Sequence, residues 1–216
     1  AIANTTGSKN IAIGEQALAT QNFTSATDGY NVAVGRLAGG ALTTGIQNTF
    51  IGGLAGDASQ EDDHNTFVGY NSGSAVNGGF RNTFIGKDSG LSMTTGDKNT
   101  ILGSYNGNES SLDIRTSSNN IVLSDGDGNP RMHFNSDGDV GIGTTSPGGA
   151  LEVANTSTEI QVLATGNSSA NELIRWNNTN DTSTSHTISF FKRNGTTTGS
   201  ITQTNNATAF NTSSDY

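Results

Sequence analysis

The 216-residue chain contains no cysteine. Disulfide frameworks, thiolate metal sites and cysteine nucleophiles are thereby excluded. Proline is scarce, at 2 residues, and charged residues make up only 13%. Both facts argue against disorder, because disordered chains are usually rich in proline or in charge. Basic residues are few: 10 Lys and Arg stand against 19 Asp and Glu, for a net charge of −9. No basic patch is visible, so neither nucleic-acid binding nor a polybasic membrane-surface segment is expected. No apolar run approaches the roughly 20 residues that cross a bilayer as a helix. Ala1–Gly7 lacks the basic and apolar regions of a signal peptide. Hydrophobic residues are 31% of the chain. A typical soluble domain reaches roughly 45–50% with glycine included, and here the 29 Gly fill most of the gap. Glycine buries almost nothing, so one compact core would be thin for this length. Oligomerisation is the expected remedy.

What is present is Thr, Ser, Asn and Gly, a mixture suited to short strands and tight turns. A repeat organises the first half. Asn10-Ile11-Ala12-Ile13-Gly14 returns as Asn31-Val32-Ala33-Val34-Gly35 and as Asn48-Thr49-Phe50-Ile51-Gly52. It continues as Asn65-Thr66-Phe67-Val68-Gly69, Asn82-Thr83-Phe84-Ile85-Gly86 and Asn99-Thr100-Ile101-Leu102-Gly103, and ends in Asn120-Ile121-Val122-Leu123-Ser124. The leading Asn residues are spaced by 21, 17, 17, 17, 17 and 21. Gly39, Gly56, Gly73, Gly90 and Gly107 each fall four residues after a motif glycine and mark turns. A period of 17 is short for a helical hairpin and suits a β-solenoid coil of two short strands and two turns.

Alternate residues of a strand point to opposite sides. One side of the motif holds pairs such as Ile11 with Ile13 and Thr49 with Ile51. The other holds the central residue: Ala12, Ala33, Phe50, Phe67, Phe84, Ile101, Val122. Both sides are largely apolar, yet one thin coil has one interior. Copies of the same chain are the simplest cover for the second side. The rival is a monomeric solenoid with a phenylalanine stack inside. Phe50, Phe67, Phe84 and Ile101 are therefore expected in the core of a trimer or of a roll. The Asn-x-x-[Ile/Val]-Gly strand resembles the head repeats of trimeric autotransporter adhesins. The wording Asn-Thr-Phe-Ile-Gly, with a glycine four residues on, is similar to repeats in bacteriophage tail fibres and tailspikes. The resemblance covers roughly residues 5–124. It implies three parallel β-rolls around one axis.

The period lapses after Gly107. Residues 119–143 read as an antiparallel meander with strands Ile121–Ser124, Arg131–Phe134 and Val140–Ile142. The turns are Asp125–Pro130 and Ser136–Asp139, with Asp-Gly as the hairpin signal. Asp137-Gly138-Asp139-Val140-Gly141-Ile142-Gly143, followed by Thr144 to Pro147 and Leu151-Glu152-Val153, resembles a connector before the distal stem of phage fibres. Further strands are expected at Leu151–Val153, Ile160–Leu163, Glu172–Trp176, Thr187–Phe191 and Ser200–Gln203, with Trp176 in the trimer core. Ala209 to Tyr216 resembles the junction to an endosialidase-type intramolecular chaperone, which cuts itself off at a serine before an aspartate. That resemblance implies Ser214 as the cleavage position, beside Asp215.

Candidate chemistry is sparse. Glu61-Asp62-Asp63-His64 is the densest ionisable group, and it reads as a solvated turn before a surface cation site or a catalytic cluster. Asp125-Gly126-Asp127-Gly128-Asn129 hints at a calcium loop, but an EF-hand needs Gly and Glu where Pro130 and Ser136 stand. His64, His133 and His186 lack zinc-like spacing. Tyr30, Tyr70 and Tyr105, near repeat turns, are candidates to stack on a receptor sugar.

The chain is thus expected to be all-β: a homotrimeric parallel β-roll over 1–118, a β-meander over 119–150 and an intertwined β-stem over 151–216. The expected role is non-enzymatic. The chain would serve as a structural and receptor-binding segment of a tail fibre on the virion. Its partners would be a host surface glycan or outer-membrane receptor and other tail proteins, with no cofactor or metal. A bacterial adhesin head and the non-catalytic part of a depolymerising tailspike are the alternatives. An ice-binding solenoid is disfavoured, because Thr49, Thr66, Thr83 and Thr100 form a single column.

Overall fold

The computed structural model describes residues 6–154 in full, and beyond them the backbone of 186–187, 191–193, 196–204 and 207–212. The described residues are all β, with no helix among them. The chain divides into two compact units, 1–160 and 161–216.

The first unit is a β-solenoid of about seven turns. Each of the first six motifs makes one three-residue strand, from Ile11–Ile13 through Val32–Val34, Thr49–Ile51, Thr66–Val68 and Thr83–Ile85 to Thr100–Leu102. Consecutive strands pair in parallel and in register, so Ala33, Phe50, Phe67, Phe84 and Ile101 stand in one column. β-branched and aromatic residues favour this pleated backbone, and the flanking Asn and Gly limit the strand to three residues. The central column points inward and is fully buried. The Phe50 and Phe67 rings stack with centroids 5.3 Å apart, and Phe67 and Phe84 at 5.0 Å.

The leading Asn explains the period. Each is buried, from Asn31 through Asn99. The Asn65 side chain donates Nδ2–H to Gly79 O at 2.8 Å, 14 residues ahead in its own coil. Its Oδ1 accepts the backbone N–H of Asn82 in the next coil at 2.8 Å. The same two bonds recur at Asn31, Asn48, Asn82 and Asn99. One side chain therefore closes its own coil and fixes the next, and both bonds are made by otherwise stranded backbone groups.

The motif glycine follows from geometry. Gly69 has φ +139, and a Cβ there would lie 2.2 Å from Gly86 O in the next coil. Four residues on, Gly73 has φ +61 and lies under the Phe67 ring, which a Cβ would meet at 2.5 Å.

Two short strands per coil were expected, and only one forms. The opposite side is a succession of turns, with Leu54 and Gly56 at φ near +60. Their left-handed backbone prevents a strand, yet the coils remain bonded there: Gly39 N–H to Ala55 O at 2.9 Å, Ala41 to Asp57 at 3.1 Å, Thr43 to Gln60 at 2.8 Å.

The two 21-residue coils hold their extra residues differently. In the first, Gly7–Ser8 pairs in parallel with Thr27–Asp28, and Phe23 is buried. In the last, Asn108–Glu109 and Leu112–Asp113 form a small hairpin.

The meander continues the same sheet. Ile121–Ser124 pairs in parallel with Thr100–Leu102 on one edge and antiparallel with Pro130–Phe134 on the other. Val140–Ile142 follows antiparallel. Leu151–Val153, expected to open the stem, pairs in parallel with Val140–Ile142 and so completes a ten-stranded sheet.

In the second unit, Thr196–Thr204 is central. It pairs antiparallel with His186–Thr187, Phe191–Arg193 and Ala207–Thr212. The last strand occupies residues expected to form a junction, and there Phe210 stands opposite Ile201. The expected strands Ile160–Leu163 and Glu172–Trp176, with Trp176, lie outside the described residues, as do Ser214 and Asp215.

Candidate functional site

The outward side of the roll carries three parallel columns, because residues two apart share a strand face. At the end of each strand stands an apolar column: Ile13, Val34, Ile51, Val68, Ile85, Leu102 and Leu123. Ile13 is 59% exposed and Ile85 42%, and Ile51 and Leu102 are also exposed. Beside it runs the half-buried column Thr49, Thr66, Thr83 and Thr100. Two residues further upstream is a ridge of Lys9, Tyr30, Gln47, His64, Arg81, Lys98 and Asn119. All seven are exposed, and all have φ between +51 and +64. A non-glycine residue in this conformation costs roughly 1–2 kcal/mol. The ridge exists because the chain must turn sharply before each buried Asn. What decorates it is not fixed by the fold.

The structure separates the expected core from the expected surface. Phe50, Phe67, Phe84 and Ile101 lie inside the roll of a single chain. Tyr30 and Tyr70 are 49% and 52% exposed. Tyr30 sits on the ridge with Lys9, whose Nζ is 2.9 Å from the phenol oxygen, 2.6 Å from Asp28 and 5.0 Å from the ring centre. That pairing holds Asp28 below the usual carboxylate range, chiefly through its hydrogen bond from Lys9. Tyr105 is the correction. It is wholly buried, and its hydroxyl donates to Leu112 O at 2.8 Å, anchoring the extra hairpin of the last coil. Burial pushes its phenol up, and no face is free to stack on a sugar.

The acidic group at 61–64 is not a uniform solvated turn. Asp62 is buried, accepts the Gly78 N–H through Oδ1, and has its carboxyl pushed up by burial. Asp63 accepts the Ile46 N–H at 2.7 Å. Glu61 and His64 face solvent. Two of the four carboxylates and imidazoles are thus tied to backbone, and they do not converge on one point. Asp125 likewise binds its own turn. Oδ1 accepts the N–H groups of Asp127 and Asn129, both at 3.0 Å, while Oδ2 accepts from Arg131. Arg131 holds Asp125 down at about 2. His133 ends the Asn column: its Nε2 is 3.1 Å from Asn120 Oδ1, and its Nδ1 is 3.2 Å from Thr145 O. Burial holds its imidazole below the ordinary histidine range.

No protein-family model, curated protein or solved structure matches this chain. The site must therefore be read from its own geometry. Two features escaped the sequence reading: the ridge as a continuous column, and Phe80, 38% exposed beside it. The signal was available, since every ridge residue immediately precedes a motif Asn.

Proposed function

We propose that this chain is a structural and receptor-binding segment of a bacteriophage tail fibre, acting as a parallel homotrimer that adheres to host surface polysaccharide without cleaving it. The exposed apolar column carries the reading. Seven aliphatic residues run unbroken along one face of the roll, four of them exposed and three half-buried, and a continuous apolar strip of that kind marks an interaction surface. A second and third copy, each offering the same strip, cover it with closed symmetry. The motif wording similar to tail-fibre repeats points to the same assembly. A trimer presents three copies of any surface site, so weak individual contacts add through avidity.

The test is the solution mass of the purified chain by light scattering. A trimer of the 22.2 kDa chain weighs 3 × 22.2 = 66.6 kDa. A folded 22.2 kDa monomer overturns the assembly. Binding of the labelled trimer to intact host cells, lost after enzymatic removal of their surface polysaccharide, tests the adhesion.

A further inference from the structure

Seven Lys and Arg residues have described side chains. Five hold a carboxylate: Lys9 with Asp28, Arg36 with Glu15, Lys87 with Asp88, Arg115 with Asp113 and Arg131 with Asp125. The remaining two, Arg81 and Lys98, are neighbours on the ridge. They sit one coil apart, a step of about 4.8 Å, and both are exposed in left-handed backbone. Like charges in adjacent register are destabilising, and the left-handed conformation adds its own cost. The fold needs neither charge, because Gln47 and Asn119 occupy the same ridge position in other coils.

These two cations line a groove of about 260 Å³ with Asp63, His64, Phe80 and Asp97. Its walls are fixed. Arg81 N–H donates to Asp63 O at 3.2 Å, and Lys98 N–H to Phe80 O at 2.9 Å. Asp97 Oδ1 accepts the Phe80 N–H at 2.8 Å, and Asp63 Oδ1 the Ile46 N–H. Each carboxylate is thereby oriented, with its second oxygen left for an outside donor. Phe80, beside the ridge, offers an exposed apolar ring to the groove.

We propose that this groove binds an acidic glycan, through a uronic-acid-type sugar whose carboxylate sits on Arg81 and Lys98. The sugar's ring packs on Phe80, and its hydroxyls donate to Asp63 and Asp97. A planar guanidinium matches a carboxylate in a two-pronged contact. A neutral sugar would use the aspartates equally well but give the Arg81 guanidinium no carboxylate to hold. The inference rests on the adhesion reading above and names the ligand class for it.

The experiment is calorimetry of the assembled chain with hexuronic-acid oligosaccharides and with neutral oligosaccharides of equal length. Wild type is compared with R81Q/K98Q and with F80A. The acidic sugars are expected to bind, and the double substitution to weaken them by at least about tenfold. The thermal midpoint should stay at or slightly above wild type, since neither cation holds a carboxylate and their repulsion is removed. Equal affinity for neutral sugars overturns the acidic assignment. Unchanged affinity in both variants overturns the groove. If wild type binds no saccharide in solution yet still attaches to host cells through their polysaccharide, the groove assignment fails and the adhesion reading stands. If it does neither, both fail.

Discussion

Removing one ladder asparagine tests the account of the period directly. In Asn65→Ala, two buried backbone groups lose their partners: Gly79 C=O, which accepted from Nδ2, and Asn82 N–H, which donated to Oδ1. Leaving a buried polar group unpaired costs about 1–3 kcal/mol, so the pair predicts a loss of about 2–6 kcal/mol. Asn65's own N–H keeps its acceptor, Asn48 Oδ1, so the damage should be confined to the joint above. In a stacked array each coil contacts chiefly its neighbours. Hydrogen exchange should therefore accelerate most at 79–83 and little at Val32–Val34. The assay is urea unfolding followed by circular dichroism, at one fixed protomer concentration, because any self-association would add concentration-dependent stability. Thr66→Ala, one residue along and facing outward, is the control and should stay within about 0.5 kcal/mol. An Asn65→Ala loss below about 0.5 kcal/mol would refute the ladder as the element that sets the 17-residue repeat.

Further outcomes follow from other positions. Gly69→Ala should abolish soluble folded protein or lower the melting midpoint sharply, because its Cβ would collide with Gly86 O; a midpoint near wild type would show that the coils can separate there. Ile51→Asp with Ile85→Asp should convert the proposed trimer to monomer by light scattering while the β-signal of the roll persists; a stable trimer would move the interface elsewhere. Tyr105→Phe should cost about 1–2 kcal/mol by orphaning Leu112 O, whereas Tyr70→Ala should change stability by less than about 0.5 kcal/mol. His133 is held below its unfolded value near 6.5, so below about pH 6.5 the unfolded chain takes up the proton first. Unfolding free energy should be flat above that pH and fall beneath it, by up to about 1.4 kcal/mol per pH unit. His133→Gln should remove that slope, and a superposing curve would place it on another group.

Much of the roll was legible because its constraints repeat. A motif read once is ambiguous, but seven copies in register identify the strand and its two faces, and six of them identify the glycine. That Phe50, Phe67 and Phe84 share one side followed from alternation; that this side is the interior of a single roll did not, because both sides of the motif are apolar. The missing second strand was not legible. Leu37 and Leu54 look like strand formers, and their left-handed backbone is imposed by the coil's closure rather than by their own preference. Tyr105 misled for a related reason: it falls in a 21-residue coil, where four extra residues fold over it. Asp62 and Asp63 look equivalent in sequence, yet the turn directs one inward and the other to a neighbouring N–H. Asn marks the period in the sequence, but its side-chain bonds across 14 and 17 residues are long-range facts that no local window contains.

The direction of the bonds between coils has a mechanical consequence. The inter-coil backbone bonds and the bond to each asparagine Oδ1 run from one coil to the next. Tension along the stack therefore loads the joints in series, while the bonds within one joint share the load in parallel. The rupture force is set by the weakest joint and hardly changes with the number of coils. Length is then free to vary in steps of one repeat, about 4.8 Å each, without loss of strength. A chain built this way can be lengthened or shortened by whole repeats while every surviving joint stays as it was.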